Sequence, residues 1–160
     1  MISVNIVEAE MVFQDSDDVL AFAIAKEEEA AGFYRMLAST MKREHMRKVF
    51  EEFSQEEMRH KALLLDVKGG KKLTLSPKQI TDLHISDHLV TITPHTDMDY
   101  KQSLIISMKA EQAALSLYTL LAQQSADDNL QILFRSLAQE EARHKLRFEM
   151  EYDQQFSGEN

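Results

Sequence analysis

The chain has 160 residues, of which 44% are hydrophobic and 28% charged, as is typical of one globular domain with room for a core. It contains no cysteine, which excludes disulfides, cysteine-ligated zinc and iron–sulfur centres held by this sequence. The formal net charge of −9 argues against nucleic acid as the main partner and favours attraction for cations.

The first segment, MISVNIVEAEMVFQ, has neither the basic region nor the long apolar region of a signal peptide. No apolar run approaches the roughly 20 residues of a membrane span. We therefore expect a cytoplasmic protein that does not bind membranes. Alternation of Ile2, Val4 and Ile6 suggests an extended N-terminal arm over residues 1–15.

Two helical patterns follow and predict a first helical hairpin over residues 16–70. Acidic residues at 15–18 offer an N-cap and favourable charge for a helix start. Mostly apolar residues then recur at helical spacing over residues 20–41 and again over 46–67. The glycines at 69–70 are expected to end the second helix.

Residues 71–98 interrupt the helical pattern and contain both prolines of the chain. We interpret them as a crossover linker with one short helix near 77–84, long enough to span a bundle of roughly 38 Å. His84 and His88 are four residues apart, so they could bind a metal on that helix, although linker histidines are more often only polar.

A second hairpin is predicted over residues 99–153, with apolar seams at 104–121 and 130–148. Two helices, a long connection and two more helices are typical of an all-α four-helix bundle with one long crossover between helices 2 and 3. We therefore expect one domain over residues 1–160.

The two hairpins repeat one another. SQEEMRHKA begins at Ser54 and AQEEARHKL begins at Ala138, 84 residues later, and 12 of 35 positions are identical between residues 27–61 and 111–145. Two unrelated amphipathic helices would share leucine and alanine, but not matched Glu, Tyr and His. The sequence therefore indicates a duplicated helical hairpin.

The repeat places ligand-type residues on the seams. In each copy a Glu lies three residues before a His, hence on the same helix face, and a further Glu lies 30 residues earlier on the partner helix. The predicted core therefore contains Glu27, Glu57, His60, Glu111, Glu141 and His144.

Four carboxylates in one core require compensation, because uncompensated buried charge is very costly. No Lys or Arg lies on the seams at this level, whereas two divalent cations would balance four glutamates. Mixed carboxylate and imidazole ligands suit Fe, Mn or Zn. One Glu from each of two helices plus Glu-x-x-His from the other two is the pattern of dinuclear carboxylate bundles.

With AKEEEAAGFY and MKAEQAALSLY, each placing a Tyr seven residues after the ligand-type Glu, the chain resembles the rubrerythrin-related proteins of the ferritin-like superfamily over residues 17–152. The resemblance implies two irons, with Glu57 and Glu141 bridging them. Glu27 and Glu111 would be terminal ligands, and His60 and His144 would each bind one metal. Glu56 and Glu140 also precede a His by four residues, but the family pattern favours the Glu three residues before.

Tyr34 and Tyr118 lie two turns after Glu27 and Glu111 on the same helix faces, so their hydroxyls would donate hydrogen bonds to ligand carboxylates. The chain also departs from the family pattern. Rubrerythrin itself adds a rubredoxin-like domain, which a chain without cysteine cannot form, and a further glutamate where this chain has Ala114, so its peroxidase activity is in question.

The expected function is reduction of hydrogen peroxide or dioxygen at a di-iron centre, with electrons from an external donor such as a rubredoxin-like protein. The alternatives are ferroxidase action in iron handling and a non-enzymatic bundle stabilised by metal. We expect a homodimer in each case.

Overall fold

The computed structural model describes residues 2–6, 9–72 and 98–156, which form four long helices and two short strands. Strands β1 (Ile2–Ile6) and β2 (Ala9–Phe13) come first. Helices α1 (Ser16–Thr40), α2 (Glu44–Lys68), α3 (Tyr100–Gln124) and α4 (Asp128–Phe156) follow. The predicted all-α four-helix fold is confirmed, with a small sheet added at its start.

Local sequence explains where the helices begin and end. The Asp15 side chain accepts a hydrogen bond from the backbone N–H of Asp18 at 2.9 Å and so caps α1. Asp99 and Gln102 form a capping box at the start of α3. Gly70, just past the end of α2, has a φ of 101°, which glycine adopts most readily. Among the described residues, no helix is long and apolar enough to cross a membrane.

The helices form two antiparallel hairpins, α1 with α2 and α3 with α4. Contacts between the hairpins fix their relative direction, because the hydroxyl of Tyr34 reaches Glu111 and that of Tyr118 reaches Glu27. The lower-numbered position on α1 is thus paired with the higher-numbered position on α3, so these helices run in opposite directions.

It follows that α2 and α3 run in the same direction, so the end of α2 and the start of α3 lie at opposite ends of the bundle. The predicted long crossover would join these two ends. Residues 73–97 of this connection lie outside the described residues. The predicted short helix near 77–84 and any role of His84 and His88 thus stay predictions.

Two buried apolar clusters fill the ends of the bundle. One lies near the start of α1 and the end of α2, and the other near the end of α1 and the start of α2. In the second cluster the rings of Phe53 and Phe148 stack with their centroids 3.9 Å apart. The polar residues of the predicted site lie between the two clusters.

Both ends of the described chain differ from prediction. Instead of a lone extended arm, β1 pairs with β2 in an antiparallel sheet in which Ile2 lies opposite Phe13. Strand β1 contacts α3 and β2 contacts α1, and the buried ring of Phe13 lies 5.4 Å from that of Phe22. At the other end α4 continues past residue 153, because Phe156 packs against Tyr100.

Candidate metal centre

Each helix of the bundle contributes to one buried polar cluster between the apolar ends. Helices α1 and α3 each contribute one glutamate, while α2 and α4 each contribute a glutamate and a histidine one turn apart. The structure brings together all the predicted ligand-type residues, each no more than 6% exposed: Glu27, Glu57, His60, Glu111, Glu141 and His144.

His60 faces three of these carboxylates with the same ring nitrogen. Its Nδ1 lies 2.8 Å from Oε1 of Glu141, 3.5 Å from Oε2 of Glu57 and 3.6 Å from Oε2 of Glu27. None of these contacts has the geometry of a hydrogen bond among the described residues. One ring nitrogen and three carboxylate oxygens therefore converge on a single point, as the ligands of a metal ion do.

His144 occupies the equivalent position in the second half. Its Nδ1 lies 2.9 Å from Oε1 of Glu57 and 3.6 Å from Oε1 of Glu111. The two imidazole rings lie nearly parallel, with centroids 5.2 Å apart and an angle of 8°. The duplicated sequence has therefore folded into a site with approximate twofold symmetry, in which each histidine meets a glutamate of the other hairpin.

The donor set fits two cations. Each glutamate keeps one buried oxygen without a hydrogen-bond partner among the described residues: Glu27 Oε2, Glu57 Oε2, Glu111 Oε2 and Glu141 Oε1. Unpaired buried carboxylate oxygens are costly, and metal ions would satisfy them. Two groups of four ligand-type residues form, each with its atoms within 4.8 Å of one another, and both contain Glu57 and Glu141. These two glutamates therefore lie between the two groups.

The metal-free cluster retains protons. Burial raises the pKa of Glu27 to about 8, and it also raises the pKa of Glu141 well above the ordinary value. Burial alone would lower the pKa of His60, but the neighbouring carboxylates of Glu27 and Glu57 raise it to about 10. The carboxylates therefore share protons that bound cations would replace.

The tyrosines connect the two halves of the site. The hydroxyl of Tyr34 donates to Oε1 of Glu111 at 2.5 Å, and that of Tyr118 donates to Oε1 of Glu27 at 2.5 Å. Both rings are almost fully buried. Each tyrosine thus orients a glutamate of the other hairpin, a pairing across the bundle that the sequence could not specify.

Glu140 lies outside the cluster, whereas Glu56 lies at its edge and forms a third group with His60 and His144, with ligand-type atoms within 4.8 Å of one another. Oε2 of Glu56 is 3.8 Å from Nε2 of His144, behind the ring, and Arg59 also pairs with this carboxylate. The neighbouring His144 imidazole and the charge of Arg59 lower the pKa of Glu56 to about 2. Glu140 pairs with Arg143 at 3.3 Å. The glutamates three residues before each histidine are more deeply buried than Glu56 and Glu140.

Two features were missed from the sequence. Lys145 and Glu149 are both buried on α4, with Nζ and Oε1 3.9 Å apart. Only their i, i+4 spacing could have pointed to them, because they lie beside the predicted seam rather than on it. The second feature is an apolar groove between α1 and α3 that reaches the cluster.

Comparisons with known proteins identify a family and two similar folds. The family model for rubrerythrin matches residues 18–152. A crystal structure of an uncharacterized conserved protein from Magnetospirillum magnetotacticum MS-1 shares 24% sequence identity, covers 88% of this chain and 95% of its own, and has a TM-score of 0.68. A hypothetical protein from Pyrococcus furiosus shares 24% identity, with coverage of 88% and 89% and a TM-score of 0.62. The comparison with curated proteins gives no match.

Proposed function

Because the chain belongs to the rubrerythrin family, we propose that it binds two iron ions and uses them to reduce hydrogen peroxide or dioxygen. Electrons would come from an external donor such as a rubredoxin-like protein, since the chain has no cysteine for a rubredoxin centre of its own. The observation that carries this proposal is the group of six buried ligand-type residues with unpaired carboxylate oxygens.

Bound iron would supply the two electrons that each molecule of hydrogen peroxide takes up, with two protons, to give two molecules of water. The residues would contribute the rest. Glu57 and Glu141 would hold the ions as a pair, and the two apolar clusters would keep bulk water from the ends of the site. Tyr34 and Tyr118 would hold the terminal glutamates in fixed rotamers.

Iron handling is a second candidate, and one observation weighs against it. A ferroxidase that passes iron on needs a polar route for a hydrated cation. The groove that reaches the site has mostly apolar walls, and Glu29, at its mouth, already pairs with Lys26 at 3.5 Å. This groove is therefore better suited to small uncharged molecules than to ferrous ions.

The first experiment counts iron bound per chain after anaerobic loading of the metal-free protein. We expect about two ions in the wild type, the number held by such carboxylate bundles. Glu57→Ala and Glu141→Ala remove a residue shared by both ligand groups and should lose both ions. Glu27→Ala and Glu111→Ala each remove a ligand of one group and should retain about one.

Stopped-flow mixing of the iron-loaded protein with peroxide or dioxygen then identifies the oxidant. Oxidation of both irons in one turnover, with regeneration by a reduced rubredoxin, would support the proposal. Continuous oxidation of ferrous iron added beyond the bound pair would instead identify a ferroxidase. Iron that binds but reacts slowly with both oxidants would favour a metal-stabilised bundle without enzymatic activity.

A further inference from the structure

A groove lies between α1 and α3 on the side of the cluster away from the histidines. Its volume is about 770 Å³, and its floor is formed by carboxylates of the candidate metal site. Those floor residues are Glu27, Glu57, Glu111 and Glu141. A molecule in the groove would therefore lie directly against the metal ligands.

The walls of the groove are apolar. Phe22 and Phe33 line it from α1, while Ala114 and Leu117 line it from α3. The two walls differ at equivalent positions of the repeat, because two charged residues on α1 correspond to small alanines on α3. Lys26 corresponds by the 84-residue repeat to Ala110, and Glu29 to Ala113.

The groove is much larger than an oxidant requires. Hydrogen peroxide and dioxygen have two heavy atoms each, whereas a single water molecule takes up about 30 Å³ of the liquid. The volume instead lies within the range of pockets that bind organic ligands, which are mostly apolar with a few convergent polar groups. Phe22 and Phe33 are separated by roughly 16 Å along α1, so the groove is elongated.

Charge at the two ends of the groove selects against ions. At the mouth, Lys26 Nζ and Glu29 Oε2 lie 3.5 Å apart and compensate one another. The ammonium group of Lys26 also lies 5.5 Å from the centroid of the Phe22 ring. At the floor, the glutamates disfavour anions, and two bound divalent ions would neutralise the glutamates, so that no net charge would attract a cationic ligand.

We infer that the groove is the binding site for one elongated, uncharged aliphatic molecule, which lies along α1 and α3 with part of its chain against the metal-ligating carboxylates. The inference rests on the proposed function only for the metals at the floor. Apolar walls, length and compensated charge at the mouth define the ligand class. The protein would therefore bind an organic ligand in addition to its oxidant.

Dodecanol serves as the probe, measured by displacement of Nile red fluorescence and by calorimetry on the full chain. Both the metal-free and the zinc-loaded protein are tested, since zinc has no redox chemistry. We expect one molecule bound per chain. Ala114→Leu narrows the groove and should weaken binding, and Ala114→Phe should weaken it by roughly tenfold or more.

Ala62→Phe is the matched control, because Ala62 is an exposed alanine in the middle of α2 and does not line the groove. It should bind dodecanol as the wild type does. If Ala114→Phe does not fold, as judged by circular dichroism, Ala113→Phe on the same wall replaces it.

Three results would overturn the inference: no dodecanol binding, equal binding by the wild type and Ala114→Phe, or a wild-type dimer that Ala114→Phe dissociates in light scattering. The last would assign the groove to a second copy of the chain. Iron counts separate this test from that of the proposed function. If the protein binds dodecanol but not iron, the groove is a ligand site and the proposed metal centre is wrong. If it binds iron but not dodecanol, the metal centre stands and the inference about the groove is wrong.

Discussion

At the scale of single residues, the two tyrosine–glutamate hydrogen bonds are the contacts that differ most from those of an ordinary helical core. Each buried hydroxyl satisfies one oxygen of a glutamate whose other oxygen has no partner among the described residues. Removal of a tyrosine hydroxyl would leave a buried carboxylate oxygen without the one hydrogen-bond donor that the described residues offer it. The penalty for such an unpaired group exceeds the net contribution of an average hydrogen bond.

We therefore expect Tyr34→Phe and Tyr118→Phe each to lower the free energy of unfolding of the metal-free protein by about 1–3 kcal/mol. Urea denaturation monitored by circular dichroism measures the change. Tyr152→Phe is the control, because its hydroxyl makes no hydrogen bond within the described residues, and it should change stability by less than about 0.5 kcal/mol. Equal effects of all three variants would contradict this account.

Some features of the site could be predicted from individual residues in the sequence, and others could not. Glu57 and His60 were predictable because a three-residue spacing forces both onto one helix face, whatever the rest of the fold does. Whether Tyr34 donates its hydrogen bond to Glu27 or to Glu111 could not be predicted, because it depends on the direction of α1 relative to α3. The groove was also hidden, since alanines such as Ala113 carry no pattern of their own.

At the scale of elements, the helix starts differ in how they are capped. Asp99 accepts a hydrogen bond from the backbone N–H of Gln102 at 2.8 Å at the start of α3. Arg43, at the same position before α2, makes no side-chain cap. The start of α3 is therefore stabilised by a side-chain cap that the start of α2 lacks.

Asp99→Ala should therefore lower the free energy of unfolding by about 1 kcal/mol, the usual value of a lost N-cap. Arg43→Ala is the matched control and should leave stability almost unchanged. Thermal and urea unfolding of the two variants beside the wild type measure the difference. A loss of the same size in both would show that the cap bond is not its cause.

The sequence predicted helices better than strands for a physical reason. Helical seams extend over many turns, so a few exceptions such as Glu27 do not obscure them. The N-terminal alternation covers only Ile2, Val4 and Ile6, and a strand needs a partner that so short a pattern does not identify. The partner, β2, is Ala9–Phe13, where the apolar residues do not alternate as regularly.

At the scale of the whole molecule, the protons in the metal-free site connect stability to pH. The pKa of Glu27 is raised from 4.5 to about 8, and that of His60 from 6.5 to about 10. A group with a raised pKa stabilises the folded state fully below its unfolded pKa and loses that effect as pH rises through the folded pKa. The lowered pKa of Glu57 acts only below 4.5, outside this window.

We therefore expect the metal-free protein to lose stability as pH rises from 6.5 to about 8, because in this range the unfolded chain has released the protons of Glu27 and His60 that the folded protein still holds. Urea denaturation in the presence of a chelator measures the slope. Glu27→Gln should reduce it, because the amide does not titrate. Metal loading should release protons and remove most of the slope, which calorimetry in two buffers of different ionisation enthalpy can detect.

The repeat also constrains ancestry. In a bundle formed by two identical hairpins, every substitution would occur on both sides of the groove. A lysine on one side would therefore also be present on the other. Once the copies are joined in one gene, each wall can change alone. The contrast between Lys26 and Ala110, and between Glu29 and Ala113, is a change of this kind. A single chain that contains both hairpins can therefore have charged residues on the α1 side of the groove and alanines on the α3 side. The site glutamates and histidines are the same in both hairpins.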